Sequence, residues 1–83
     1  MDKESGKGSV KRRKLNRFDK QLADKIRWHR RNADMTQEQL AEKLGRHLTY
    51  VADIERYQSG VSLPVLYKLA RIFNIKVKDL FDF

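Results

Sequence analysis

The stretch TQEQLAEKLGRHLTYVADIER, residues 36–56, leaves little freedom in how the chain folds. Thr36 and Gln39 form the pattern in which two side chains satisfy the free amides at a helix start, and Met35 and Leu40 flank it as an apolar staple. Leu40, Ala41 and Leu44 supply an inner face, and Gly45 permits the positive φ that ends a helix sharply. A second helical period then begins almost at once. In it Val51 and Ile54 point inward, while Thr49, Ala52, Asp53 and Arg56 fall on the opposite face at about 100° per residue. Two helices joined by so short a turn must cross steeply, with their backbones close where they touch. Ala41 is small enough for that approach, Gly45 makes the turn and Val51 packs back beneath it.

That arrangement is the helix-turn-helix pattern, whose second helix lies in the DNA major groove. The charge agrees with a polyanionic partner. The 83 residues include 19 Lys and Arg against 11 Asp and Glu, a net +8, and each phosphate neutralised on binding releases counterions. Residues 1–18 carry seven basic and two acidic groups, net +5, and residues 19–83 carry twelve and nine, net +3. A domain of this size buries only about 60% of the surface of its unfolded chain. Without cysteine it has neither disulfide nor thiolate metal site to supplement that core. No apolar run approaches the roughly 20 residues that span a bilayer, and no apolar signal region follows the N-terminus. The expectation is a soluble, cytoplasmic protein.

Residues 1–17 are polar and charged, and are expected to form a disordered basic tail before a domain at 18–83. Within it Lys11, Arg12, Arg13 and Lys14 form a cluster suited to a solvated tail, a nucleic-acid backbone or minor groove, or, in a nucleated cell, a nuclear address. A first helix is expected from a cap at Asp19, with Leu22, Ile26, His29 and Ala33 on one face and Asn32 to Asp34 at its end. His29 reads as a half-buried histidine and Trp28 as a packing residue at the core's edge. After the central stretch, YQSGV (57–61) is a loop. Ser62 then caps a helix with Pro64 in its first turn, and Leu63, Leu66, Leu69, Ala70 and Phe73 make an apolar stripe. Asn74 closes it, and IKVKDLFDF adds a last apolar segment, expected as a short fifth helix, although the alternation of Ile75, Lys76, Val77 and Lys78 also suits a strand.

From Ile26 to Phe81 the chain resembles the Xre/Cro family of helix-turn-helix regulators. IRWHRRNADMTQEQLAEKLG is similar to that family's first two helices, TYVADIER to its recognition helix, and VSLPVLYKLARIFNI to its fourth. The resemblance implies an all-α, five-helix, lambda-repressor-like domain that binds a two-fold operator as a dimer, with no cofactor or small-molecule effector. Carried over by residue, it implies that Leu48, Thr49, Ala52 and Asp53 face base edges. Thr49 can donate or accept, Leu48 and Ala52 can meet a thymine methyl, and Asp53 can accept from cytosine or hold Arg46 or Arg56. Gln37, Arg46, Tyr50, Arg56, Tyr57, Gln58 and Ser59 are the implied phosphate contacts, and Arg30 with Glu55 an implied ion pair between the first and third helices. Three positions depart from the family: His29 stands for a usual leucine, His47 for a serine cap, and Tyr57 for the glycine after Glu-Arg. The VSL start of the fourth helix and the DLF ending resemble restriction-modification controller proteins.

Other functions fit less well. The two histidines lie on different elements, and no nucleophile motif, metal-spaced cluster or phosphate loop accompanies them. The alternatives kept are a protein-interaction adaptor, as in bridging coactivators, and an antitoxin-type DNA-binding partner. Ile75, Val77, Leu80, Phe81 and Phe83 are more apolar groups than a small monomer covers, so they are expected to form the interface of a homodimer on double-stranded DNA.

Overall fold

The computed structural model describes residues 15–83, and the regular elements among them are all helices. Four α-helices run in order: α1 (Arg17–Asn32), α2 (Gln37–Leu44), α3 (Leu48–Glu55) and α4 (Leu63–Phe73). The chain ends in a 3₁₀ helix, Val77–Phe81, where a fifth α-helix was expected. The reason is local. Five residues are too few for an α-helical ladder, and the Asp79 amide bonds the Lys76 carbonyl three residues back at 2.9 Å while the Asp79 carboxylate accepts from the Lys76 amide. The cluster Lys11 to Lys14 lies outside the described residues.

The α1 cap is Asn16, not Asp19. Asn16 Oδ1 accepts from the Asp19 amide at 3.0 Å, and the Asp19 carboxylate accepts from the Asn16 amide at 3.1 Å, a reciprocal box. Asp19 therefore occupies the third helical position, and the helix begins one residue inside the segment expected as tail. Thr36 and Gln39 make the corresponding box at α2, with distances of 2.8 and 3.0 Å.

All four α-helices end alike. An amide bonds the carbonyl five residues back, from Met35 to Arg30, Arg46 to Ala41, Gln58 to Asp53 and Ile75 to Ala70. The residue before each donor is left-handed: Asp34, Gly45, Tyr57 and Asn74, with φ of 58°, 72°, 64° and 58°. Glycine, aspartate and asparagine take that conformation readily, whereas a bulky tyrosine does so at a cost of about 1 kcal/mol or more.

The core gathers Leu22, Ala23 and Ile26 from α1, Leu40, Ala41 and Leu44 from α2, and Val51 and Ile54 from α3. Val65, Leu66, Leu69 and Ala70 from α4 and Leu80 from the 3₁₀ helix complete it. Ala41 and Val51 are each 1% exposed, so α2 and α3 meet at close range where the small residue allows it. Lys68 on α4 donates to the Leu44 carbonyl at 3.1 Å, satisfying the end of α2 across the fold.

Four expectations need correction. Leu80 is fully buried in its own domain, because the 3₁₀ turn folds it back between α1 and α4, and so it has no surface to offer a partner. Ala33 follows the last helical turn and is exposed. Trp28 is 56% exposed, with the Lys25 ammonium 5.6 Å from its ring, and Leu63 is 57% exposed at the first position of α4. Val65, absent from the expected stripe, takes the buried place in that turn.

Candidate nucleic-acid interface

The second helix of the motif, α3, is oriented from its inner side. Arg30 reaches from α1 to Glu55 at the end of α3, with Nε to Oε2 at 2.7 Å and Nη2 to Oε1 at 3.0 Å. Both side chains are buried, 9% and 3% exposed, which a charged pair tolerates only when its remaining donors are engaged. They are. Arg30 Nη1 donates to the Met35 carbonyl at 2.7 Å, Gln37 Nε2 to Glu55 Oε1 at 3.0 Å, and Arg27 Nη2 to the Glu55 carbonyl at 2.8 Å. One carboxylate thus joins α1, the start of α2 and the end of α3. The Gln37 and Arg27 contacts carry no signal in sequence spacing, since each depends on how the helices cross.

The outer side of α3 carries the side chains expected to read bases. Leu48 is 47% exposed, Thr49 is exposed, and Ala52 and Asp53 are half-exposed. Asp53 accepts from Arg56 Nη2 at 2.7 Å across one helical turn, so of its two expected partners it holds Arg56 and not Arg46. Arg46 instead lies over the Tyr50 ring, 4.6 Å from its centroid, at the opposite end of the helix. Two guanidinium groups therefore flank the row Leu48, Thr49, Ala52 and Asp53. Gln58 is exposed and Ser59 half-exposed beyond Arg56.

Gln37 and Tyr57 form hydrogen bonds within the domain, and two helix caps lack theirs. Gln37 gives one amide hydrogen to Glu55, leaving the second N–H of the same group for a phosphate. Tyr57 donates its hydroxyl to Asp24 on α1. His47 occupies the cap of α3 without a capping hydrogen bond, and Ser62 does the same at α4.

Of the expected dimer residues, Ile75, Val77 and Phe81 are half-buried against the core and Phe83 is 48% exposed. Phe18 of α1 joins them, 49% exposed, with ring centroids 5.7 Å from Phe81 and 5.5 Å from Phe83. His29 lies beside this region, stacked on Phe73 at 5.6 Å, with its Nε2 buried and unpartnered. Among the described residues no group of His, Asp or Glu could hold a metal ion, and no helix is long and apolar enough to cross a membrane.

A short capped helix, a glycine turn and a second helix whose outer row of short side chains reaches solvent between two arginines define a helix-turn-helix DNA-binding domain. Comparison with known proteins agrees. The helix-turn-helix family matches residues 26–80, and the chain belongs to that family, in its Xre/Cro-like branch of DNA-binding transcriptional regulators. An HTH-type transcriptional regulator of Archaeoglobus fulgidus is 41% identical over 62 residues, which cover 75% of this chain and 89% of that protein. Control protein C.SmaI of Serratia marcescens is 41% identical over 59 residues, covering 71% and 70%. The crystal structure of the restriction-modification controller protein C.AhdI from Aeromonas hydrophila superposes with a TM-score of 0.71 at 33% identity, covering 76% of this chain and 96% of that one. These relatives are regulators, a non-enzymatic kind of protein.

Proposed function

We propose that this protein is a cytoplasmic transcriptional regulator of the restriction-modification controller type, binding a palindromic operator as a homodimer. The observation that carries the reading is the outer row of α3: Leu48, Thr49, Ala52 and Asp53 stand toward solvent while the Arg30–Glu55 pair fixes the helix behind them. A rigid helix presenting short side chains can approach base edges, and arginines at both ends can take phosphates and set its register. The similarity to C.SmaI and C.AhdI supports the controller role. It also favours operator binding over a protein-interaction adaptor.

In this reading Thr49 and Ala52 read bases directly, with Leu48 against a thymine methyl. Asp53 acts with Arg56 as one unit, because a carboxylate already bonded to a guanidinium aims that group. Gln37, Arg46, Tyr50, Gln58 and Ser59 hold the backbone. Phe83, Phe81, Val77 and Ile75 form the two-fold contact, placing the two α3 helices about 34 to 36 Å apart, one turn of DNA.

Selection of bound duplexes from a random pool tests the proposal. A symmetric site with half-sites one turn apart is the expected result, with affinity falling steeply as salt rises. A pool that stays random, or a site without symmetry, refutes it. Thr49→Ala is expected to flatten discrimination between the selected site and random duplex while non-specific binding remains.

A further inference from the structure

Tyr57 is the one bulky residue among the four left-handed helix closers, with φ of 64°. Backbone strain of this kind persists where surrounding contacts over-determine it. Here the polar and ring contacts of its side chain come from one face of α1. The Tyr57 hydroxyl donates to Asp24 Oδ1, and Arg27 Nη2 lies 3.5 Å from the same hydroxyl. Lys20 Nζ and the Arg27 guanidinium each sit 5.9 Å from the ring centroid. Arg27 Nη2 also holds the Glu55 carbonyl at 2.8 Å and Asp24 Oδ1 at 3.4 Å. Lys20, Asp24 and Arg27 are spaced four and three apart, so successive turns of α1 grip the residue that ends the recognition helix.

We infer that Tyr57 is a positioning residue for operator recognition: its bond to Asp24 ties the end of α3 to α1 and sets the angle at which Arg56, Gln58 and Ser59 meet DNA. The inference rests on the DNA-binding reading above. It replaces the expected role of Tyr57 as a phosphate contact, and it gives Asp24 a role that charge alone opposes. A carboxylate on a DNA-binding protein repels the phosphate backbone, so its removal by itself strengthens binding. If Asp24 acts by holding Tyr57, its removal weakens binding to the operator. The sign separates the two roles.

The test compares the full-length protein with Tyr57→Phe, Asp24→Ala and the double variant. Affinities for the selected operator and for a random duplex of equal length are measured across a salt series, with amide hydrogen exchange at Gln58 in the free protein. Each single variant is expected to bind the operator about 3- to 10-fold more weakly, the range of one typical net hydrogen bond, with little change on random duplex. The double variant is expected to lose no more than Asp24→Ala alone, since both substitutions remove the Tyr57–Asp24 bond. Exchange at Gln58 is expected to accelerate in all three. The inference is overturned if Asp24→Ala binds the operator as tightly as the parent or more so. It is equally overturned if Tyr57→Phe loses affinity on both duplexes alike with a shallower salt slope, the signature of a phosphate contact. Unchanged exchange at Gln58 refutes the tie whether or not any operator is found, whereas faster exchange in a protein that selects no operator refutes the DNA reading alone.

Discussion

Arg30 and Glu55 meet through two hydrogen bonds of 2.7 and 3.0 Å, buried between the first helix and the end of the recognition helix. Removing one partner leaves the other charge buried without compensation. Arg30→Met or Glu55→Leu is expected to destabilise the domain by about 3 to 5 kcal/mol, a large share of the stability of a domain this small. The double variant is expected to lose less than the sum of the two. Denaturant titration of the three variants checks this, and additive losses would mean that the pair acts as two independent contacts.

The cap of α3 can be improved. His47 has the extended backbone of a cap, φ −75° and ψ 155°, but its imidazole accepts no amide of the first turn. His47→Ser supplies a short acceptor there and is expected to add about 1 kcal/mol. For a domain of this size that raises Tm by about 4 to 8 °C. A thermal melt with no gain would show that the α3 amides are already satisfied by solvent.

His29 makes stability depend on pH. Burial and the nearby Lys25 charge hold its pKa below the ordinary 6.5, against the opposing pull of Asp79. In the unfolded chain the ring takes up its proton at the ordinary, higher pH. As pH falls through that value the unfolded state therefore binds protons first, and stability declines until the folded pKa is passed. Denaturation midpoints measured from about pH 7 to about pH 5 are expected to fall further for the parent than for His29→Leu. Parallel curves would remove His29 as the cause.

The dimer contact calls for a different probe from the one spacing suggests. Leu80 is 0% exposed, so Leu80→Glu buries a charge in the core and is expected to unfold the domain. Phe83, 48% exposed beside Phe18, is the better site: Phe83→Glu is expected to give a folded monomer by sedimentation and circular dichroism. A dimer that persists in this variant would place the two-fold contact elsewhere.

The chain's order of residues was enough for the motif and for much of its chemistry. The Thr36–Gln39 box, the Gly45 turn and the inward Ala41, Val51 and Ile54 are local, each depending on neighbours within a turn or two, and so they could be read directly. Where two local solutions compete, spacing misled: Asn16 and Asp19 both suit a cap, and the reciprocal bond between them put Asn16 outside and Asp19 within the helix. What the tertiary structure alone decided are relations across helices. Leu80 lies in the core and not on the surface because the 3₁₀ turn folds it back. Arg27 and Gln37 converge on Glu55, and Tyr57 faces Asp24, because α3 packs against both α1 and α2 and its end lies against α1. Such contacts link residues 18 to 33 positions apart, and no periodicity along the chain encodes them.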